Sequence, residues 1–191
     1  MLRIIDEPLA LAAERAGEGM HCRKGCFGCC IGPFPITLMD AARLRAGLAA
    51  LPEEQRERIV QRAEQAVAEL RNLGYPGDGE SGLLTFLHAE EILFAPPYLT
   101  LPCPVLDLES GACTLYEYRP IACRTYGLAI TLDGKRMPHC PLNYKDVPGE
   151  AIEAARVEIE TSAAGKAALD EFLTSGGREG QTVIAFALTA S

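Results

Sequence analysis

The chain has 191 residues, of which 48% are hydrophobic and 23% are charged, a balance that excludes a disordered or fibrous protein and indicates a globular one. Its formal net charge of -8 argues against a nucleic-acid partner, because binding to phosphate backbones needs clustered lysine and arginine. Domains usually span about 100–200 residues, so we expect residues 1–191 to form a single domain.

The N-terminal segment becomes acidic after five residues and lacks the long apolar run of a secretory signal. The best apolar stretch, residues 183–188, is far shorter than the roughly 18 residues that a membrane-spanning helix needs. We therefore expect a soluble, cytoplasmic protein with no membrane partner. Structural disulfides seldom persist in that reducing compartment, so the eight cysteines require another explanation.

A helix and a loop are predicted at the start of the chain. Apolar residues at helical intervals over residues 2–15 predict a short helix that ends at Gly17 and Gly19. Residues 20–35 contain five glycines or prolines and four cysteines, a composition that neither a regular helix nor a strand favours. We predict a loop there.

Two consecutive helices are predicted next. Thr37 can cap a helix over residues 38–51, and Pro52 lies where the first turn of a second helix tolerates proline. The second helix ends at Gly74, and we interpret its face of Glu and Arg side chains as a solvated surface. Residues 76–82 have the composition of a mobile loop.

A β-hairpin is predicted in the middle of the chain. Residues 103–107 and 112–116 have the pattern of two short strands joined by a turn at Gly111, with a cysteine on each arm. Residues 117–126 predict one or two helical turns with Pro120 near their start.

The last third of the chain is predicted to be helical. Residues 149–173 are rich in Ala, Glu and Ile and predict one long amphipathic helix that packs against the first helices. The tail, residues 181–188, is compatible with either a helix or a strand. The predicted fold class is therefore mainly α with a small β-hairpin, as a single helical domain with a cysteine-rich lobe.

The sharpest signal is a run of four cysteines within nine residues, with glycines between them: Cys22, Cys26, Cys29 and Cys30. Glycine permits positive φ, so the backbone can fold back, several thiolates can converge on a single ion and neighbouring N–H groups can point at sulfur. Such a loop has no obvious use without a metal. Because adjacent side chains diverge in most backbone conformations, a single ion bound by both Cys29 and Cys30 would be geometrically awkward.

Four more cysteines supply a second set of candidate ligands: Cys103, Cys113, Cys123 and Cys140. A tetrahedral zinc site takes nitrogen or sulfur ligands as close pairs from two separate elements, and an iron–sulfur cluster also needs thiolates. The sequence leaves both open, as it does the burial of one or two cysteines as small hydrophobes. We predict all eight cysteines as candidate metal ligands and residues 20–145 as the metal-binding region.

Other side chains near the cysteines are candidate cofactor-binding residues. Arg119 and Arg124 can steady thiolate charge or hold an anionic group by bidentate hydrogen bonds, and Tyr126 is grouped with them. The alternatives are an ion pair of these arginines with Glu117 or Asp107, and simple packing of the tyrosine.

Histidines add further candidates without a clear assignment. His21 and His139 each adjoin a cysteine and can replace it as a metal ligand, or can lie outside the coordination sphere. His88 lies in an apolar stretch and is predicted to be packed. No catalytic residue is predicted.

The spacing of Cys22, Cys26 and Cys29 matches the CxxxCxxC pattern of radical S-adenosylmethionine enzymes. Those enzymes resemble large α/β barrels, which this chain is too short to form. Gly28 also stands where an aromatic residue is common in that pattern.

A closer resemblance rests on residues 22–30 and residues 103–126. These blocks resemble the YkgJ-like CxxCxxCC family of zinc- or iron-chelating domains, over roughly residues 20–145. This sequence has three residues between Cys22 and Cys26, where the family name has two. The family looks related to flagellin lysine N-methylases, so the resemblance implies methyl transfer from S-adenosylmethionine, bound at the metal or cluster, as one possible activity.

The leading functional hypothesis is a metal-binding protein that coordinates zinc or iron, with an iron–sulfur cluster as one form of the iron. The metal would be structural, stored or carried. One alternative is a cluster-dependent enzyme like a protein lysine N-methyltransferase that uses S-adenosylmethionine. Another is a module whose thiols sense redox state. The predicted partner is the metal ion.

Overall fold

A computed structural model describes residues 2–85, 88–89, 92 and 96–189. The chain divides into two compact units. The first unit combines Met1–Arg23 with Ile121–Gly176, and the second combines Lys24–Pro120 with Gly177–Ser191. Each unit is therefore built from segments that are distant in sequence. Our expectation of a single domain over residues 1–191 stays a prediction.

Helices form most of the regular structure. The helices whose bounds fall within the described residues are, in chain order, α1 (Leu2–Ala16), α2 (Leu38–Ala49), α3 (Glu53–Asn72), α4 (Ile121–Thr125), α5 (Gly149–Ala155), α6 (Ser162–Thr174) and α7 (Ile184–Thr189). Short 3-10 turns occupy Gly17–Gly19, Gly28–Cys30, Pro96–Thr100 and Tyr116–Tyr118. Among the described residues, no helix combines the length and the apolar character that crossing a membrane requires.

The strands are short and form small sheets. In chain order they are β1 (Pro35–Thr37), β2 (Leu106–Asp107), β3 (Ala112–Cys113), β4 (Ile130–Leu132), β5 (Lys135–Arg136), β6 (Val157–Ile159) and β7 (Gln181–Val183). Strand β1 pairs antiparallel with β7, β2 pairs antiparallel with β3, and β4 lies between antiparallel β5 and parallel β6. The fold is mainly α with small β elements, which confirms the predicted fold class.

In the first unit, helix α1 packs on the sheet of β5, β4 and β6. Ile5 and Ala12, two turns apart on α1, are fully buried. They share one hydrophobic cluster with Ile130 of β4 and with Val157 and Ile159 of β6. The core of this unit therefore lies between the first helix and the sheet.

In the second unit, α7 packs against both α2 and α3. Thr37 caps α2 as predicted, since its Oγ1 accepts a hydrogen bond of 3.0 Å from the N–H of Asp40. Leu70 of α3 and Phe186 of α7 are buried in one hydrophobic cluster. The tail, whose state the sequence left open, is a strand followed by a helix.

The prediction of one long helix over residues 149–173 is wrong, because β6 divides that stretch into α5 and α6. Arg156 takes an extended conformation (φ -60, ψ 137), and its guanidinium donates to the Ile130 carbonyl at 2.7 Å. Val157 and Ile159 are buried while Glu158 is exposed, which is the alternation of a strand. Pairing with β4 therefore prevails over the helix propensity of the flanking alanines.

Candidate metal centre

The cysteine loop of the second unit packs against the turn of the predicted hairpin. Gly111, in the turn between β2 and β3, has φ +63. A Cβ atom there would lie 2.8 Å from Gly25 Cα and 3.1 Å from Phe27 Cδ1. Only glycine allows this approach, because residue 111 combines a left-handed conformation with backbone contact. The contact places Cys26, between Gly25 and Phe27, beside the hairpin.

Backbone hydrogen bonds join the end of the same loop to the segment that leads into β2. The N–H of Cys103 donates to the Cys30 carbonyl at 2.7 Å, and the N–H of Gly32 donates to the Leu101 carbonyl at 2.7 Å. Ile31 and Pro102 form an antiparallel bridge between these two bonds. Two cysteines that are 73 positions apart are thereby held side by side at the level of the backbone.

The thiols of this unit interact with one another. The side chains of Cys29 and Cys30 are hydrogen bonded, and this bond, with burial, raises the pKa of Cys29 far above its ordinary value. Cys113 interacts electrostatically with both Cys29 and Cys103. We call Cys26, Cys29, Cys30, Cys103 and Cys113 the hairpin cluster.

Backbone N–H groups point at two sulfurs of the hairpin cluster. The N–H of Val105 donates to the Cys103 thiol, and the N–H of Leu115 donates to the Cys113 thiol. The N–H of Leu106 donates to the Cys103 carbonyl at 2.9 Å and also lowers the pKa of the Cys103 thiol. Burial raises the pKa of Cys103 to about 12 and also raises the pKa of Cys113, while these hydrogen bonds lower both pKa values. The hairpin therefore carries the donors that a buried thiolate needs.

Two arginines supply positive charge to the hairpin cluster. Arg119 lowers the pKa values of Cys29 and Cys113, and Arg62 of α3 lowers the pKa of Cys103. The Arg62 Nη1 donates to the Leu106 carbonyl at 3.2 Å, and its buried Nε has no hydrogen-bond partner among the described residues. The Arg119 guanidinium lies 3.6 Å from the centre of the Tyr116 ring and donates to the Tyr116 carbonyl at 3.0 Å.

The first unit holds the other three cysteines, Cys22, Cys123 and Cys140. Cys123 lies on α4 as predicted. A Cβ atom at Gly127, where φ is +103, would lie 3.4 Å from Cys22 Sγ and 3.6 Å from Cys140 Cβ. Cys22 and Cys140 are therefore neighbours across this glycine.

The remaining candidate residues of the first unit have structural partners. Arg124 forms an ion pair with Asp6 of α1 and not with either predicted carboxylate. Tyr126 is 45% exposed, so its predicted packing role does not describe it. The His139 ring stands edge-on to the Tyr144 ring, with centroids 5.2 Å apart. The backbone N–H of His21 donates to the side-chain oxygen of Asn143.

All eight cysteines lie in the described part of the chain, and none of them forms a disulfide. Within residues 2–85, 88–89, 92 and 96–189, no three His, Cys, Asp or Glu side chains are placed to hold one metal ion. Within each unit the thiols are therefore neighbours, but they are not arranged to coordinate one ion. The ligand assignments of the individual cysteines stay predictions.

The profile of the CxxCxxCC family, described as "Putative zinc- or iron-chelating domain", matches residues 21–141. The chain belongs to this family. The matched segment covers more than half of the chain and contains all eight cysteines. No curated protein and no solved structure is detectably similar to the chain.

The donor set of this CxxCxxCC protein suits the ions that its family description names. Thiolates favour zinc and iron over magnesium and calcium, which prefer oxygen ligands. In the hairpin cluster, N–H donors and arginine charge surround the sulfurs, and both features favour the deprotonated form that a metal requires. Family membership and donor chemistry agree on zinc or iron binding.

Sequence reasoning missed two residues of the CxxCxxCC protein that influence these thiols, Arg62 through its charge and Asn143 through a hydrogen bond. Arg62 belongs to a charged helix face that we interpreted as solvated, and Asn143 follows the last cysteine without any recognisable motif. Asn143 is buried and bonds to Cys22. Arg62 borders the apolar face of α3, next to buried Ala63, and its spacing carried no signal because its partner lies 44 residues away.

Proposed function

We propose that the chain is a metal-binding protein that holds zinc or iron through the thiolates of the hairpin cluster. The observation that carries this proposal is the packing of the cysteine run against the hairpin, beside backbone N–H groups whose hydrogen bonds lower the pKa values of Cys103 and Cys113. A neutral thiol accepts such bonds weakly, whereas a thiolate accepts them strongly. These donors therefore have a clear use when the sulfurs are deprotonated.

A cation completes the electrostatics of this cluster. Without a cation Cys103 stays protonated at neutral pH, since burial, the largest influence, brings its pKa to about 12. A bound zinc or iron ion deprotonates the thiols that coordinate it, and its charge offsets the cost of burying them. Four thiolates around a divalent ion carry net negative charge, which Arg62 and Arg119 are placed to balance.

The cysteines of the first unit are proposed as additional ligands. Cys22 and Cys140 meet at Gly127, and Cys123 lies on the short helix that precedes it. Because no three candidate side chains are closed around one point in the described residues, binding of the ion would draw the sulfurs of each group together. The metal would then be structural, stored or carried, and no chemical reaction is required of it.

Elemental analysis of protein purified without oxygen tests this proposal, together with an ultraviolet–visible spectrum. We expect stoichiometric zinc or iron. A colourless zinc protein would indicate a mononuclear site, and broad visible absorption would indicate an iron–sulfur cluster. Folded wild-type protein that contains neither metal would refute the proposal.

The matched variants are Cys103→Ser and Leu108→Ser. Cys103 lies directly before the hairpin, and Leu108, in its turn, is 60% exposed. We expect Cys103→Ser to lose most of the bound metal, because a serine hydroxyl is a poor ligand for these ions. Leu108→Ser should retain it. Equal metal content in the two variants would contradict the assignment of Cys103.

A further inference from the structure

Asn143 is a buried polar residue next to the cysteines of the first unit, two positions beyond the segment that the family profile matches. Its side chain is fully engaged. Oδ1 accepts hydrogen bonds from the N–H of His21 at 2.8 Å and from the N–H of Cys22 at 3.2 Å. Nδ2 donates to the Gly127 carbonyl at 2.5 Å and to Cys22 Sγ at 3.3 Å.

These partners fix the orientation of the amide. If the oxygen and nitrogen were exchanged, Nδ2 would face two N–H groups and Oδ1 would face the Gly127 carbonyl, leaving these three backbone groups without a complementary partner. A hydrogen-bond donor therefore points at the Cys22 sulfur. Such a donor stabilises a thiolate more than a thiol, because the bond to a charged acceptor is stronger.

The backbone of Asn143 also helps to set the position of Cys22 relative to Cys140. The N–H of Asn143 donates to the Cys140 carbonyl at 2.9 Å, so the residue is tied to both cysteines. A Cβ atom at Gly127 would lie 3.2 Å from Asn143 Nδ2 and 3.4 Å from Cys22 Sγ. The absence of a side chain at Gly127 leaves the space in which amide and sulfur meet.

We propose that Asn143 is a positioning residue for metal binding, which holds the Cys22 sulfur beside Cys140 and donates a hydrogen bond to it. Asn143 is not a ligand itself, since both atoms of its amide are committed to other groups. This inference rests on the proposed function, in which Cys22 binds zinc or iron. It extends the functional region beyond the cysteines to a residue that no metal-ligand pattern contains.

Asn143→Asp separates the two roles of the amide. Aspartate keeps an oxygen that accepts from the N–H groups of His21 and Cys22, but it cannot donate to Cys22 Sγ or to the Gly127 carbonyl. We expect the zinc affinity to fall by about 10–100-fold, as for other outer residues that orient a metal ligand, in a competition with a chromogenic chelator. Asn72→Asp, at the exposed end of α3, is the control for the added charge.

The effect must depend on the Cys22 sulfur. In a Cys22→Ser background, Asn143→Asp should cause no further loss of zinc affinity, whereas a purely structural role would lower the affinity in both backgrounds. Circular dichroism of the metal-free proteins reports whether each variant is folded. Wild-type affinity in folded Asn143→Asp, or an equal loss in both backgrounds, would overturn the proposal.

A measurement on the wild type keeps the test valid if Asn143→Asp does not fold. The side-chain N–H signals of Asn143 in a 1H–15N spectrum should shift when zinc is added, because the charge on the acceptor sulfur changes. Signals that stay in place while zinc binds would overturn the role of Asn143 and leave the proposed function intact. Wild-type protein that binds neither zinc nor iron would instead refute the proposed function, and this inference with it.

Discussion

Cys103 shows how one side chain is prepared for a cation. Its side chain is half-buried, and the loss of solvent opposes charge on its thiol, yet two backbone N–H groups and Arg62 favour that charge. A structure that only needed a small hydrophobe at this position would have no use for those groups. A positive ion next to the sulfur would offset the effect of burial and would favour the thiolate together with the N–H groups and Arg62.

Asp133 is a second residue whose charge matters, in the first unit. Its carboxylate accepts hydrogen bonds from the hydroxyl and N–H groups of Thr161 and Ser162, at 2.6 to 2.9 Å. These bonds, led by the Thr161 hydroxyl, lower the pKa of Asp133 to about 2. The carboxylate thus satisfies free N–H groups at the start of α6 from a distant turn.

We predict that Asp133→Asn lowers the thermal unfolding midpoint at pH 7 and that this difference shrinks on acidification. An aspartate whose pKa is lower in the folded state stabilises the fold above its unfolded pKa of about 3.9 and loses that contribution as the pH falls to about 2. Thermal melts of the wild type and Asp133→Asn between pH 7 and pH 2 measure the difference between their unfolding midpoints. Asp170→Asn, an exposed carboxylate on α6, is the control, and a constant difference across this range would contradict the prediction.

At the scale of elements, the fit between the cysteine loop and the hairpin depends on one glycine. Gly111 and Gly134 are both turn residues with positive φ, +63 and +75. A Cβ atom at Gly134 would meet no described atom within 4 Å, whereas at Gly111 it would meet the backbone of Gly25. A side chain at either position would therefore strain the left-handed backbone, but only at Gly111 would it also clash with the cysteine loop.

We predict that Gly111→Ala reduces bound zinc or iron much more than Gly134→Ala does. Both variants should lose about 1–2 kcal/mol of folding stability from the left-handed backbone. Only Gly111→Ala should also push the loop that carries Cys26 away from the hairpin. Metal content and urea unfolding of the two variants test this. Equal metal content at equal stability would mean that loop and hairpin need not touch.

The success of sequence reasoning differed among elements for a physical reason. Helix α2 was predictable because its cap, Thr37, and its apolar spacing are local features. Strand β6 was not, because Val157 and Ile159 are held by a partner strand 27 residues earlier in the chain. Propensity describes what a segment favours alone, and a two- or three-residue strand exists only through its pairing.

The residues of the candidate site likewise fall into those that the sequence could predict and those that it could not. Cysteines are visible in a sequence because few other residues supply thiolates, so all eight could be named. Asn143 and Arg62 could not, since an asparagine or an arginine is common and its role depends on what the fold brings to it. The partner of Asn143 lies 121 positions away. Local patterns carry no trace of such a contact.

At the scale of the whole molecule, metal and folding should be coupled. The neighbouring thiols are not arranged around one point, so a bound ion would have to draw them together. Part of the free energy of metal binding then contributes to the free energy of folding. A ligand at about 1,000 times its dissociation constant adds about 4 kcal/mol to stability.

We therefore predict that a strong chelator lowers the thermal unfolding midpoint of the wild-type protein. Added zinc should restore the midpoint, and added calcium should not, because calcium prefers oxygen ligands. Calorimetry of the native, chelated and reconstituted protein measures this. An unchanged midpoint after complete removal of the metal would show that the fold is independent of it.

The pairing of β1 with β7 sets an order of events during synthesis. Strand β1 ends at Thr37 and β7 begins at Gln181, so the ribosome must make the 143 residues between them before the partner strand of β1 begins. The nascent chain meanwhile carries the exposed cysteine run just upstream of an open strand edge. Because α7, which follows β7 directly, packs against α2 and α3, the second unit is completed only after α7 has been made. During synthesis the chain therefore carries all eight cysteines before the unit that holds the hairpin cluster can close.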